Sequence, residues 1–152
     1  MLPTNNPDLT SAWLAAIVDS AEDAIVSKTL EGIITSWNSG AERIFGYRPE
    51  EIIGRSILTL IPPHLHDEEA LIISNIRAGK RVEHYETVRR RKDGTLFDIS
   101  LTISPIKGAD GTILGASKIG RDISDLKNAR SSSVQAKPDT AASSIRSMKD
   151  FA

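Results

Sequence analysis

The sequence predicts an α+β domain in which an antiparallel sheet carries its helices on one face, and three observations predict it. Val82 to Arg91, Leu96 to Pro105 and Thr112 to Asp122 are strand-like, and they are joined at Asp93-Gly94 and Asp110-Gly111, both strong hairpin signals. In the middle strand Phe97, Ile99, Leu101 and Ile103 alternate with Asp98, Ser100, Thr102 and Ser104, so one face must be buried while the other meets water. An earlier hairpin is separated from these strands by a string of short helical segments, which places strands on either side of a helical block.

Each element follows from local chemistry. Residues 1–10 hold Pro3 and Pro7 and read as a loose arm. Ser11 then serves as an N-cap, and Trp13, Leu14, Ile17 and Val18 form one stripe of a short helix. That stripe needs a partner, either the rest of the domain or another subunit. Ala24 to Lys28 and Ile33 to Asn38 are rich in β-formers and reverse at Glu31-Gly32. Ser39 with Glu42 reads as a capping box opening a helix whose Ala41, Ile44 and Phe45 face inward and which Gly46 stops. Pro49-Glu50-Glu51 suits the first turn of another short helix, ended by Gly54. Pro62-Pro63 resets the chain before an amphipathic run from Leu65 to Ala78, with Ile72, Ile73 and Ile76, read as the longest helix.

The chain has 152 residues, of which 39% are hydrophobic and 26% charged, ordinary values for one globular domain. Lys and Arg number 19 against 20 Asp and Glu, so no cationic excess draws it to nucleic acid or to an anionic membrane. No Cys is present, which excludes disulfides, thiolate metal sites and cysteine adducts. No apolar run approaches the roughly 20 residues of a membrane helix, and no secretory pattern opens the chain, so a soluble, cytoplasmic protein is expected. The expected organisation is an arm over residues 1–10, a domain over 11–130, and a disordered tail over 131–152 in which Ile145, Met148 and Phe151 are the large apolar side chains.

The run Trp37-Asn38-Ser39-Gly40-Ala41-Glu42-Arg43-Ile44-Phe45-Gly46-Tyr47 is followed in order by Glu50-Glu51-Ile52-Ile53-Gly54-Arg55, Lys92-Asp93-Gly94-Thr95 and Gly120-Arg121-Asp122-Ile123-Ser124. On these residues the segment from about Ala12 to Arg130 resembles a bacterial PAS sensory domain of the S-box type. The resemblance implies a five-stranded antiparallel sheet that encloses, with its helices, a pocket or a plain core. The candidate pocket residues are Trp37, Asn38, Phe45, Ile61, His66, Ile73, Ile76, Leu101 and Ile103. It implies a homodimer, for which the face is Trp13, Leu14, Ile17 and Val18. It also implies a relay at Asp122 and Ser124, where the family's Asp, aliphatic and Thr fasten the last strand to an exit helix. A two-component pathway follows, with a histidine kinase or another signalling protein as partner, although Ser131-Ser132-Ser133 and Pro138 interrupt any coiled coil toward an effector. Two functions remain: sensing of a small ligand between the Leu65–Ala78 helix and the inner sheet, or ligand-free dimerisation and docking.

Reactive chemistry finds little support. His64, His66, Asp67, Glu68 and Glu69 are rich in acids and bases, yet they offer no HExxH-like pair, nucleophile or third metal ligand. They read as an acidic first turn facing water, with no catalytic residue and no metal. Haem-binding PAS sensors hold iron through a histidine on this helix, but a gapless match puts that position on Glu69, with His66 nearly a turn early. Flavin photochemistry of the LOV type needs a cysteine, which leaves only a flavin held without an adduct near Trp37 and Asn38, a redox-sensor reading. Arg89-Arg90-Arg91-Lys92 straddles the sheet edge and reads as a solvated hairpin end paired with Glu83, Glu86 or Asp98, not as a nucleic-acid surface.

Overall fold

A computed structural model of the protein describes residues 7–127. Strands β1 (Ala24–Thr29), β2 (Ile34–Trp37), β3 (Val82–Arg90), β4 (Leu96–Lys107) and β5 (Ile113–Asp122) form one antiparallel sheet in the order β2-β1-β5-β4-β3. The first and last strands therefore lie side by side at its middle. Helices α1 (Pro7–Ser20), α2 (Ser39–Phe45), α3 (Pro49–Ile52) and α4 (Asp67–Arg77), with 3-10 turns at Ile57–Leu60 and Pro63–Leu65, fill the connection from β2 to β3 and precede β1. The tail expected over residues 131–152 lies outside the described residues.

The expected hairpins form for the expected reasons. At Asp93 the carboxylate accepts from the Thr95 backbone N–H at 2.9 Å, and at Asp110 from that of Thr112 at 3.0 Å, which holds both carboxyls below their ordinary range. The inner row of β4, Phe97, Ile99, Leu101 and Ile103, is buried against Ile34, Ile52, Ile57, Ile76 and Val82. Each such side chain contributes roughly 1.5–3 kcal/mol relative to exposure.

Several helical details differ from the sequence expectation. α1 starts at Pro7, four residues before Ser11, because proline tolerates a first-turn position where no N–H is required. At 14 residues it is also longer than α4, which has 11. Leu65 falls in a separate 3-10 turn, and α4 begins at Asp67. The cap of α2 is Asn38 rather than Ser39: Oδ1 accepts from Ala41 at 2.9 Å and Ile25 at 2.8 Å, while Nδ2 donates to Val18 at 2.8 Å and Asp23 at 3.1 Å. One amide satisfies four backbone groups, which a serine hydroxyl cannot do. Ser39 Oγ instead donates to Asp19 Oδ1 at 2.6 Å.

This junction requires glycine at position 40. A Cβ there would lie 2.1 Å from the Asp23 carbonyl oxygen, so the helix start presses directly on the chain entering β1. In an open helix Gly→Ala gains up to about 1 kcal/mol, but here overpacking against backbone costs about 1–3 kcal/mol. Gly40→Ala should therefore lower the urea midpoint of the domain; an unchanged or raised midpoint would contradict the packing described.

Candidate functional site: an ionic cluster behind the sheet

Strand alternation sends Ala24, Val26 and Lys28 of β1 inward, and Ala116, Lys118 and Gly120 of β5 inward beside them, in a register that pairs Val26 with Lys118 and Lys28 with Ala116. On β3 the register shifts between Val82 and Tyr85, where His84 adopts φ 51. This bulge turns Tyr85, Thr87 and Arg89 inward, opposite Leu101, Ile99 and Phe97. Arg89 is therefore 2% exposed, against the expectation of a solvated hairpin end. Glu83 pairs with Arg81, and Glu86 and Asp98 meet Lys127, so none of the three serves the basic run as expected.

Glu68 and Glu69, read as a water-facing turn, point the other way. They are 8% and 9% exposed, because the turn starting α4 lies over these inward cations. Arg89 Nη1 donates to Glu68 Oε1 at 2.7 Å, and Thr87 Oγ1 donates to Glu68 Oε2 at 2.7 Å. Lys28 Nζ donates to Glu69 Oε2, and Lys118 Nζ stands 3.7 Å from Glu69 Oε1. Two carboxylates of α4 thus meet cations from β1, β3 and β5.

Burial sets the electrostatics. It pushes the Lys118 ammonium well below the usual lysine range, with Lys28 next to it adding to the effect, and it lowers Lys28 against the opposing pull of Glu69. Burial alone would raise Glu69, but Lys118 and Lys28 outweigh it and hold the carboxyl below its ordinary value. Burial, then the Glu68 carboxylate, raises the Tyr85 phenol. Among the described residues, buried Glu69 Oε1 and Arg89 Nη2 have no hydrogen-bond partner.

Beside the cluster lies a cavity in which the centre of a water molecule can range over about 20 Å³, lined by Ala24, Val26, Phe45, Ile57, Leu60, Arg89, Ile99, Leu101, Lys118 and Gly120. Of the sequence candidates it includes Phe45 and Leu101. Ile61, Ile76 and Ile103 are fully buried elsewhere in the core, and Ile73 is half-buried. The Trp37 indole donates to the Tyr47 carbonyl at 2.9 Å and packs on Phe45, while the Asn38 amide is committed to backbone. His66 Nε2 donates to the Ile61 carbonyl at 2.9 Å, outside the cavity lining. Neither a haem nor a flavin ring fits this space, and the position matched to the haem ligand, Glu69, is ion-paired with Lys28. Among the described residues, no cluster of His, Asp or Glu is arranged to hold a metal.

The relay candidates Asp122 and Ser124 sit where β5 ends. Asp122 Oδ1 accepts from the Ser124 N–H at 2.9 Å and its Oδ2 from Arg91 at 3.1 Å, while Ser124 Oγ accepts from the Asp98 N–H at 3.2 Å. Asp122 thus fastens the start of the helical turn at 124–127, and the serine hydroxyl binds back to β4 instead of capping forward. The dimer candidates Trp13, Leu14 and Ile17 are 48–55% exposed and Val18 36%, so the stripe does not pack on its own domain.

The ionised Glu69 stabilises the fold above the pH at which an unfolded glutamate titrates, and that contribution is lost as pH falls through its lowered folded value. Glu69→Gln, which leaves Lys28 buried without a counter-charge, should lose about 3–5 kcal/mol at pH 7. The gap to the unaltered protein should narrow below about pH 4. Urea melts at pH 7 and pH 3 check this; a gap constant with pH would contradict the ionised pair.

The model of the PAS fold family matches residues 13–123. Two-component system protein A of Emericella nidulans is 35% identical over 125 residues, covering 79% of this chain and 18% of that protein. Probable diguanylate cyclase DgcE of Escherichia coli is 26% identical over 112 residues, 72% of this chain and 10% of that one. The chain thus spans less than a fifth of the length of these curated relatives. The crystal structure of the PAS domain of a protein from Colwellia psychrerythraea matches with TM-score 0.71 and 31% identity over 76% of this chain and 98% of that one. A domain of a sensory box sensor histidine kinase/response regulator from Geobacter sulfurreducens shares the fold at TM-score 0.64 and 21% identity, over 79% of this chain and all of that one. With its sheet, its helical block and most of its length matched, the chain belongs to the PAS fold family, whose domains are sensory modules.

Proposed function

We propose that this PAS domain is the non-catalytic sensing element of a cytoplasmic signal-transduction protein, in which a small ligand held behind the sheet biases the packing of α4 against β1, β3 and β5. The observation that carries this reading is the buried ionic cluster with hydrogen-bonding capacity left over; the cavity beside it, at about 20 Å³, has room for about one water and would widen as α4 shifts to admit a ligand. A core that served only as filler would place apolar side chains there. A ligand acts by its differential affinity for two packings, and the α4–sheet ion pairs are the contacts that would differ.

Two routes lead outward. Lys118 lies on β5, which ends at Asp122, and the turn beyond, starting at Ser124, is tied to the sheet by Lys127, 3.6 Å from Glu86. The second route is α1, whose exposed Trp13, Leu14 and Ile17 fit a second copy of this chain. A two-component kinase or a cyclase is the fitting output, in line with the names of the relatives. The exposed α1 stripe also favours a second reading, a ligand-free dimerisation and docking domain.

Native mass spectrometry of protein purified from cells tests the sensing reading: a bound small molecule released on denaturation is expected, and a mass equal to the bare chain supports docking alone. A visible spectrum of the same sample should show neither a Soret nor a flavin band. For the dimer, Trp13→Glu with Ile17→Glu should give a folded monomer by analytical ultracentrifugation; an unchanged subunit number would place the interface elsewhere.

A further inference from the structure

Strand alternation gives the sheet a second face, turned away from α4. Ile25 lies on it between the inward Ala24 and Val26, and its partner across the β1–β5 pair is Ile119, 45% exposed. Between this face and α1 runs an open groove in which the centre of a water molecule can range over about 630 Å³. Leu14 and Val18 of α1 line one side, Ile25, Ser36 and Trp37 of the sheet line the other, and Asp19 also borders it. From Leu9 to Ser27 the chain carries Asp19, Glu22 and Asp23 and no Lys or Arg, so the groove is apolar with an acidic end. Trp13 and Ile17 line a separate hollow with Leu9 and Ala12, so α1 offers two distinct sides.

We propose that this groove is the docking site of the C-terminal segment of the same chain, with Ile145, Met148 and Phe151 against Leu14, Val18 and Ile25, and with Arg146 and Lys149 toward Asp19 and Glu22. The place where the described chain ends supports it. Lys127 meets Glu86 and Asp98, which alternate with the inward Thr87 and Phe97 and so lie on the same face as Ile25. Five strands at roughly 4.8 Å spacing make a sheet about 20 Å across. The 17 residues 128–144 span at most about 60 Å, so the groove is within reach. Those residues hold no apolar side chain larger than Val134, whereas Ile145, Met148 and Phe151 recur every third residue, on one side of a helical turn. A segment with so few large apolar groups has no core of its own and orders only against another surface, and a short apolar stripe suits a groove beside a helix. Charge selects this occupant over a second α1: another copy of α1 would bring the same acids, while residues 145–152 bring two cations and Asp150. Docked there, the segment covers the Leu14 and Val18 side of α1 from any other partner and leaves the Trp13 and Ile17 side to a second copy. It requires no ligand behind the sheet.

The test uses the whole chain, in which the absence of Cys lets a single nitroxide be placed through Ser147→Cys. Relative to the reduced label, the amide signals of Leu14, Val18 and Ile25 should lose most intensity and those of α4, on the opposite face of the sheet, least. The loss should not change on dilution, and it should be absent when spin-labelled chain is mixed with isotope-labelled chain that carries no spin label. Met148→Asp with Phe151→Asp in the spin-labelled chain should restore the signals while the amide positions of β4 stay unchanged. Leu14→Asp with Val18→Asp, which alters only exposed side chains, should restore them from the other side of the contact. No loss at Leu14, Val18 and Ile25, an even loss over both faces of the sheet, or a loss that persists in Met148→Asp with Phe151→Asp overturns the proposal. A loss in the mixed sample assigns the groove to the tail of a second copy and overturns the contact within one chain.

Discussion

Charges removed from water must find partners, and in this domain that requirement joins the helical layer to the sheet. α4 contributes two adjacent glutamates, and three strands contribute the cations that meet them. Desolvating each ion costs several kcal/mol, which only close ion pairs and hydrogen bonds recover, so the cluster tolerates little displacement of α4. An apolar interface could slide by fractions of a side chain, whereas an ion pair in a dry interior is made or broken. A layer held in this way is suited to two alternative packings, which is what a sensory domain needs.

The same residues reach the periphery in few steps. Arg91, two positions beyond Arg89, stacks on Phe97 with 4.1 Å to the ring centroid, donates to the Ile44 carbonyl at the end of α2 and meets Asp122 at the end of β5. Lys92 closes the other side with its backbone N–H on Phe45 and its ammonium on Glu51. The basic run is thus a set of fasteners between the hairpin, the short helices and the exit of the chain. Its composition alone resembles a charged surface, and its contacts are structural.

Hairpin dipeptides, the alternating row of β4 and the glycine stops made the architecture legible in the sequence, because each acts through its neighbours alone. The ionic cluster was half legible. Lys28 shares the alternation of Ala24 and Val26, and Lys118 that of Ala116 and Gly120, so two inward lysines were open to a reader who followed the period through the charges. Arg89 was hidden by the bulge at His84: simple alternation from Val82 sends Val88 inward, and one extra residue exchanges the faces. Glu68 and Glu69 point inward against their local pattern for a related reason, since an acidic first turn favours the helix dipole whichever way it points. Their direction depends on what lies beneath α4, and that is fixed by strands distant in sequence.

The central claim is that Glu69 and Lys28 act as a coupled ion pair across the α4–sheet interface. A double-mutant cycle with Lys28→Met, Glu69→Leu and the double variant, each unfolded in urea at pH 7, tests it most directly. Glu69→Leu should cost about 3 kcal/mol or more by leaving Lys28 buried without its counter-charge, Lys28→Met should cost less because Lys118 stands 3.7 Å from Glu69, and the double variant should recover much of the Glu69→Leu loss. Strictly additive losses would show that the two side chains do not depend on one another and would contradict the account.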